Sequence, residues 1–194
     1  MEIGVGTTVE DRVLDAARGC LERWGFAKLT IDDIASEAQV SRATIYRMFP
    51  GGKDVLFEAM RVRELQDFFD HLKTELDGAD SLEDLLVRTV VTATRRLRDD
   101  EHLALMLAAE PGTMLSQLTS DGVPRIIRMA TTFLVPLADE YLSRSQSTAL
   151  IDVLSRLTIS YFLAPSAVVD LGDEASARAF LTPFISTLTP TGNP

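Results

Sequence analysis

The sequence predicts an all-α chain of about nine helices, and three observations carry that reading. Apolar residues recur at steps of three and four along most of the chain, the spacing of one helix face. No run alternates apolar and polar residues for long enough to make a strand. Several apolar runs are preceded by a hydroxyl residue with an acid three positions on, the signature of a capped helix start. With 46% apolar residues in 194, the chain has material for a core, which sets disorder aside.

The first helix is expected from about Val9 to Trp24, capped by Thr7 or Thr8. Val13, Ala17, Cys20 and Trp24 form one stripe with Leu14 and Leu21 beside it, and Gly25 suits a left-handed stop. Thr30 with Asp33 opens a short second helix, and Ser41 caps a third. Only Gln39-Val40 separates them, the length of a helix–turn–helix corner. On the third helix Ile45 and Phe49 share an apolar face led in by Val40. Pro50-Gly51-Gly52 then breaks the chain before a long helix from about Asp54 to Leu76. Its apolar arc, two stripes that include Val55 and Phe57, is wide enough to contact two bodies.

Ser81 and Asp84 cap the next helix, Leu82 to Leu97. A short buried helix is expected over 101–109, stopped by Pro111-Gly112, with a turn or two over 113–119. Pro124 suits the start of a helix reaching Tyr141, which Pro136 should kink or split. Helices over 145–163 and 173–188 complete the chain.

Bulk features narrow the function. One cysteine, Cys20, allows no internal disulfide, fits a reducing cytosol, and sits on an apolar stripe as a small core residue. Met1 to Glu10 lacks the basic start and apolar run of a signal peptide, and no apolar run approaches ~18 residues, so a cytoplasmic location is expected. His71 and His102 lie on different helices, with no metal-ligand spacing and no glycine-rich phosphate loop. No catalytic residue, metal site or cofactor is therefore expected.

Net charge is −10, which at first argues against nucleic acid. The distribution of that charge points the other way. Residues 1–53 carry seven Lys/Arg and eight Asp/Glu, and between Ala38 and Lys53 there are three basic residues and no acid. The exposed face of the third helix shows Arg42, Ala43, Tyr46 and Arg47. An apolar rear with a basic, aromatic and small-residue front suits entry into a DNA major groove. Arg42 and Arg47 can each grip a guanine or clamp a phosphate. Ala43 and Thr44 are short enough for close approach to a thymine methyl or a base edge. Thr30, Ser41 and Lys53 stand at helix N-termini, where backbone N–H groups favour a phosphate in addition to simple capping.

Arg12-Val13-Leu14-Asp15-Ala16-Ala17, Gly25-Phe26, Leu29-Thr30-Ile31-Asp32-Asp33-Ile34-Ala35, Val40-Ser41, Thr44-Ile45-Tyr46-Arg47-Met48-Phe49 and Lys53 together resemble the N-terminal domain of TetR-family transcriptional regulators. The resemblance implies a three-helix helix–turn–helix DNA-binding domain at 1–53 and a larger helical ligand-binding and dimerisation domain at 54–194. It implies a homodimer joined through the last two long helices, about 145–188, on a palindromic double-stranded DNA operator. It implies a repressor released by a small molecule, with Tyr46 contacting a phosphate through its hydroxyl. Three positions depart from the family pattern. Gln39 stands where glycine is common and must either take a positive φ or shift the turn. Gly19 interrupts the first helix, and Gly51-Gly52 makes an unusually flexible joint before Lys53.

Few charges interrupt residues 103–109, 126–137 and 157–169, which favours a hydrophobic pocket and an apolar or amphipathic effector. Met106, Met129, Phe133 and Tyr161 are candidate lining residues, with Phe69 and Thr92 from neighbouring helices; ordinary core packing competes with that role for each. Two other functions fit the residues less well. A helical small-molecule-binding protein without DNA binding conflicts with the intact set of Arg42, Tyr46, Arg47 and Lys53. An enzyme lacks any visible catalytic set.

Overall fold

The structure is a computed structural model that describes residues 8–100, 103–104 and 122–186. Those residues form eight helices and no strand, so the chain is all-α as its periodicity requires. The helix expected over 101–109, the turns over 113–119 and Met106 lie outside the described residues, apart from Leu103 and Ala104. There the Asp100 carboxylate accepts from the Leu103 N–H at 2.9 Å, a capped helical turn. The chain divides into two compact units, Met1–Leu65 and Gln66–Pro194.

In the first unit α1 (Val9–Lys28) opens on a capping box: the Thr8 hydroxyl accepts from the Asp11 N–H, and the Asp11 carboxylate accepts from the Thr8 N–H. Val13, Ala17 and Cys20 are fully buried, with Leu14 and Leu21 beside them. Burial pushes the Cys20 thiol pKa up, against the pull of the nearby Arg23. Trp24 departs from the expected stripe. It is 45% exposed, with the Arg23 guanidinium 5.0 Å over its ring. At the next residue, Gly25, a φ of 72° and ψ of 162° kink the helix, and beyond it Leu29 is buried in the core.

α2 (Ile31–Glu37) carries the expected Thr30–Asp33 capping box, and α3 (Arg42–Met48) is capped by Ser41. Between them the N–H of Gln39 donates to the Ser36 carbonyl at 3.2 Å and that of Val40 to the Ala35 carbonyl at 3.0 Å. This is a Schellman closure, and it needs a left-handed residue at its centre. Of the two outcomes open to it, Gln39 takes the left-handed one, at φ 55°. Ile34, Ile45 and Phe49 join Val13, Ala17, Leu56 and Phe57 in one core. Each of the larger apolar side chains among them contributes about 1.5–3 kcal/mol, several times an exposed ion pair at about 0–1 kcal/mol. The core, not surface charge, holds α3.

α4 (Lys53–Glu75) runs from the first unit into the second. Leu56, Phe57 and Met60 belong to the core of the head, whereas Phe69 and Leu72 are buried in the second unit. Val55, expected on the apolar arc, is 40% exposed. The turn before α4 explains both of its glycines. Gly51 has φ 125° and a Cβ there would stand 2.6 Å from Val55 Cγ2; Gly52 has φ 72° and a Cβ 3.1 Å from the Tyr46 ring. Positive φ and close packing account for the pair without any appeal to looseness.

In the second unit α5 (Leu82–Asp99) starts at its Ser81 cap and is buried around most of its circumference. It packs on α7 (Arg144–Leu163) and α8 (Glu174–Ile185), and α7 packs on α6 (Val123–Ala138). Pro136 lies in the last turn of α6, which is not split but ends at Ala138 instead of reaching Tyr141. The missing proline N–H and fixed φ tell least at a helix end, where few turns remain to be disrupted.

Two substitutions test these backbone readings. Gly19→Ala adds a Cβ whose nearest neighbour is the flexible Arg23 Nη2 at 3.6 Å, so it should stabilise by about 1 kcal/mol in urea unfolding. Gln39→Gly should relieve the left-handed cost and stabilise by up to about 1 kcal/mol. A lowered midpoint for Gln39→Gly would mean that the side chain makes contacts that outweigh its strain.

Candidate nucleic-acid interface

The surface is built from the starts of three helices and the front of one. Because Ile45 and Phe49 are buried at 0% and 3% exposure, the opposite side of α3 must face outward. Arg42, Ala43, Tyr46 and Arg47 are accordingly exposed, with Thr44 half-buried at their edge. Arg42 stands at the first position of α3, and its guanidinium forms an ion pair with Asp32 across the corner, Nε to Oδ1 at 2.9 Å. Arg47, in the last turn, has no ion-pair partner among the described residues. The Tyr46 ring lies over Gly52, so the tight turn supports its placement.

The capping hydroxyls differ in what they have left to give. The Thr30 hydroxyl donates its one proton to Asp33 at 2.6 Å and accepts from the Asp33 N–H at 3.3 Å. As folded it has no proton for a phosphate. Ser41 Oγ accepts from the Thr44 N–H at 3.1 Å and lies 2.9 Å from Thr44 Oγ1. That pair shares one proton and retains another, so one hydroxyl can donate outward. Lys53 is also engaged. Its Nζ donates to the Phe26 carbonyl and sits 4.2 Å from the centroid of the Phe26 ring, which meets Phe57 edge-on at 5.1 Å. It ties the start of α4 to the end of α1.

All eight residues assigned to DNA thus fall on the first unit, at the start of α2, along α3 and at the start of α4. Sequence reasoning missed Asp32, ten positions before Arg42, whose pairing appears only once the corner folds the two helices together.

The effector candidates lie in the second unit and do not converge fully. Phe69 is buried and stacks on Phe133, with ring centroids 5.6 Å apart and planes at 17°. Met129 lies one turn before Phe133 on α6 and is half-buried, as is Thr92 on α5. Tyr161 instead faces Phe180 of α8 at 5.7 Å. A groove of about 550 Å³, lined by residues including Asp70, Lys73, Leu76 and Tyr141, holds none of these candidates. Thr94 was not anticipated: it is 0% exposed and its hydroxyl has no hydrogen-bond partner among the described residues. Arg88 pairs with Asp84 at 2.8 Å, and Arg95 donates to the Gly172 carbonyl at 2.7 Å. Among the described residues no group of three His, Cys, Asp or Glu could hold a metal ion, and no helix is long and apolar enough to cross a membrane.

The profile of the family described as bacterial regulatory proteins, tetR family, matches residues 13–60. An uncharacterized HTH-type transcriptional regulator of Mycobacterium tuberculosis is 31% identical over 99 residues, 51% of this chain, and the chain spans only half of that relative's length. The HTH-type transcriptional regulator AlkX of the same species is 27% identical over 183 residues, 91% of this chain and 84% of AlkX. Among solved structures, the TetR family repressor AlkX of Dietzia sp., implicated in biodegradation of n-alkanes, superposes with a TM-score of 0.69 at 22% identity. That match covers 93% of this chain and 97% of the other, and it establishes a shared fold.

The caps set an acid limit on the first unit. The Thr30 hydroxyl, then its backbone N–H, hold the Asp33 carboxyl below its ordinary pKa, and Thr8 does the same for Asp11. A lowered folded pKa gives stability present above the unfolded value and lost as pH falls through the folded one. The melting temperature should therefore fall on acidification below about pH 4, and Asp33→Asn with Asp11→Asn should flatten that slope. An unchanged slope in the double variant would assign the acid sensitivity to other carboxylates.

Proposed function

Since the chain belongs to the TetR family of bacterial regulatory proteins, we propose that it is a DNA-binding transcriptional regulator that represses from a palindromic operator as a homodimer and leaves it when an apolar or amphipathic small molecule binds. The family is one of regulators and not of enzymes, and the catalytic alternative falls with that. The observation that carries the reading is α3: its rear is locked in the core, while Arg42, Ala43, Tyr46 and Arg47 stand clear on the front. Arg42, at the helix start, is the residue placed to read a base edge, and Arg47 and Lys53 are the phosphate clamps. Ala43 and Thr44 lie against the bases, with Tyr46, Ser41 and the start of α2 at Thr30 on the backbone.

Residues 1–53 form the DNA-binding domain in this reading and 54–194 the effector and dimerisation domain. The homodimer contact is assigned to α7 and α8, within about 145–188. Val153 and Phe184 are 52% and 60% exposed there, and Phe184 continues an aromatic run through Phe180 to Tyr161. Large apolar side chains this exposed on a chain with so large a net charge are better explained by a partner than by water. The effector is placed among Phe69, Thr92, Met106, Met129, Phe133 and Tyr161. Because α4 is one continuous helix, an effector that moves its C-terminal half moves Lys53 and the head with it. Two heads must meet half-sites about 34–36 Å apart, so a small pivot releases DNA.

A gel-shift assay on the protein's own upstream region tests the reading. A retarded band that weakens with salt is expected, and n-alkanes are the first effector probes. Arg47→Ala should weaken binding on any duplex and lower the salt slope by about 1. Lys53→Ala should do the same and also lower the melting temperature, because Lys53 holds Phe26. Unchanged binding across a salt titration would remove Arg47 from the contact surface.

A further inference from the structure

We propose that Asp32 is a specificity-determining positioning residue that orients Arg42 for a guanine; the inference rests on the DNA-binding reading above. The pair joins the second residue of α2 to the first residue of α3, Nε to Oδ1 at 2.9 Å, with both side chains 61% exposed. An ion pair so exposed adds little to stability. Its position is what sets it apart. Arg42 has the placement from which a recognition helix reaches base edges, and Asp32 is an acid beside the basic front, where it would otherwise only repel phosphate.

The geometry of the guanidinium supplies the role. With the Nε edge of the guanidinium set against the carboxylate in this ion pair, the donors on the two terminal nitrogens remain, and these form the fork that matches guanine O6 and N7. A long flexible side chain is thereby held in one orientation before DNA arrives, so less freedom is lost on binding. The carboxylate also acts against wrong partners. An arginine that leaves Asp32 to follow a phosphate abandons its counter-charge, and a base edge that presents acceptors to the Asp32 side is repelled. Asp32 itself is fixed by the start of α2, where its negative charge is favoured by the helix dipole. Removing it should leave the protein folded, bind DNA more evenly across sequences, and blur one base-pair preference in each half-site.

Selection from random-sequence DNA duplexes tests this with the full chain. Wild type should enrich a motif with one guanine per half-site that Arg42→Ala no longer demands. Asp32→Ala should weaken that one preference by about ten-fold, the scale of a bidentate contact, and raise affinity for unselected duplexes. Asp32→Glu keeps a carboxylate within reach of Nε and should retain most of the preference that Asp32→Ala loses. Base preferences identical in Asp32→Ala and wild type, or lost equally in Asp32→Ala and Asp32→Glu, would overturn the assignment alone. A wild type that enriches no sequence would overturn the DNA-binding reading and the assignment together. Equal melting temperatures of the variants and wild type keep loss of folding out of the comparison.

Discussion

The geometry of the head depends on one corner, Ala38 to Ser41. Its Schellman hydrogen bonds end α2, and the left-handed Gln39 turns the chain so that Ser41 can start α3 at once. If this corner opened differently, Ile45 and Phe49 would not meet Ile34 and Val13, and the basic front would face elsewhere. The corner tolerates a residue that costs about 1 kcal/mol there, because the buried side chains on either side are worth more. A local strain is thus held by a non-local core.

The same order of magnitudes separates holding from reading. Apolar burial fixes α3, and the exposed charges on its front, Arg42 and Arg47, are not needed to hold it. Arg42 and Arg47 add little to the stability of the fold as exposed charges, whereas the half-buried Lys53 also holds Phe26. This explains how a chain of net charge −10 can present a basic face. The field at a phosphate is set within a Debye length of about 8 Å, and the stretch from Ala38 to Lys53 contains no acid. Asp32 approaches Arg42 from the neighbouring helix, and it does so in an ion pair.

Much of the head was legible because its determinants are local. Thr30 with Asp33, Ser41 before an apolar step, and Gln39 in a two-residue gap are short-range signals whose meaning does not depend on what lies across the fold. The effector unit was less legible for the opposite reason. Helical spacing marks Phe69, Phe133 and Tyr161 as inward-facing, but it cannot distinguish residues that line a cavity from residues that stack on each other. Phe69 does stack on Phe133, and Tyr161 turns toward Phe180. Thr94 carried no sequence signal at all, since a threonine inside an apolar stripe looks like any other half-polar helix residue.

From sequence alone came the all-α class, the caps, the corner, the outward identity of Arg42, Ala43, Tyr46 and Arg47, and the demand on Gln39. These follow from periods of three and four and from side-chain chemistry within one turn. Tertiary structure alone decided that Lys53 holds Phe26, that Gly52 sits under Tyr46, and that Asp32 pairs with Arg42. Each of these joins residues from different elements. Their distances are set by how helices pack, and no spacing along the chain encodes them.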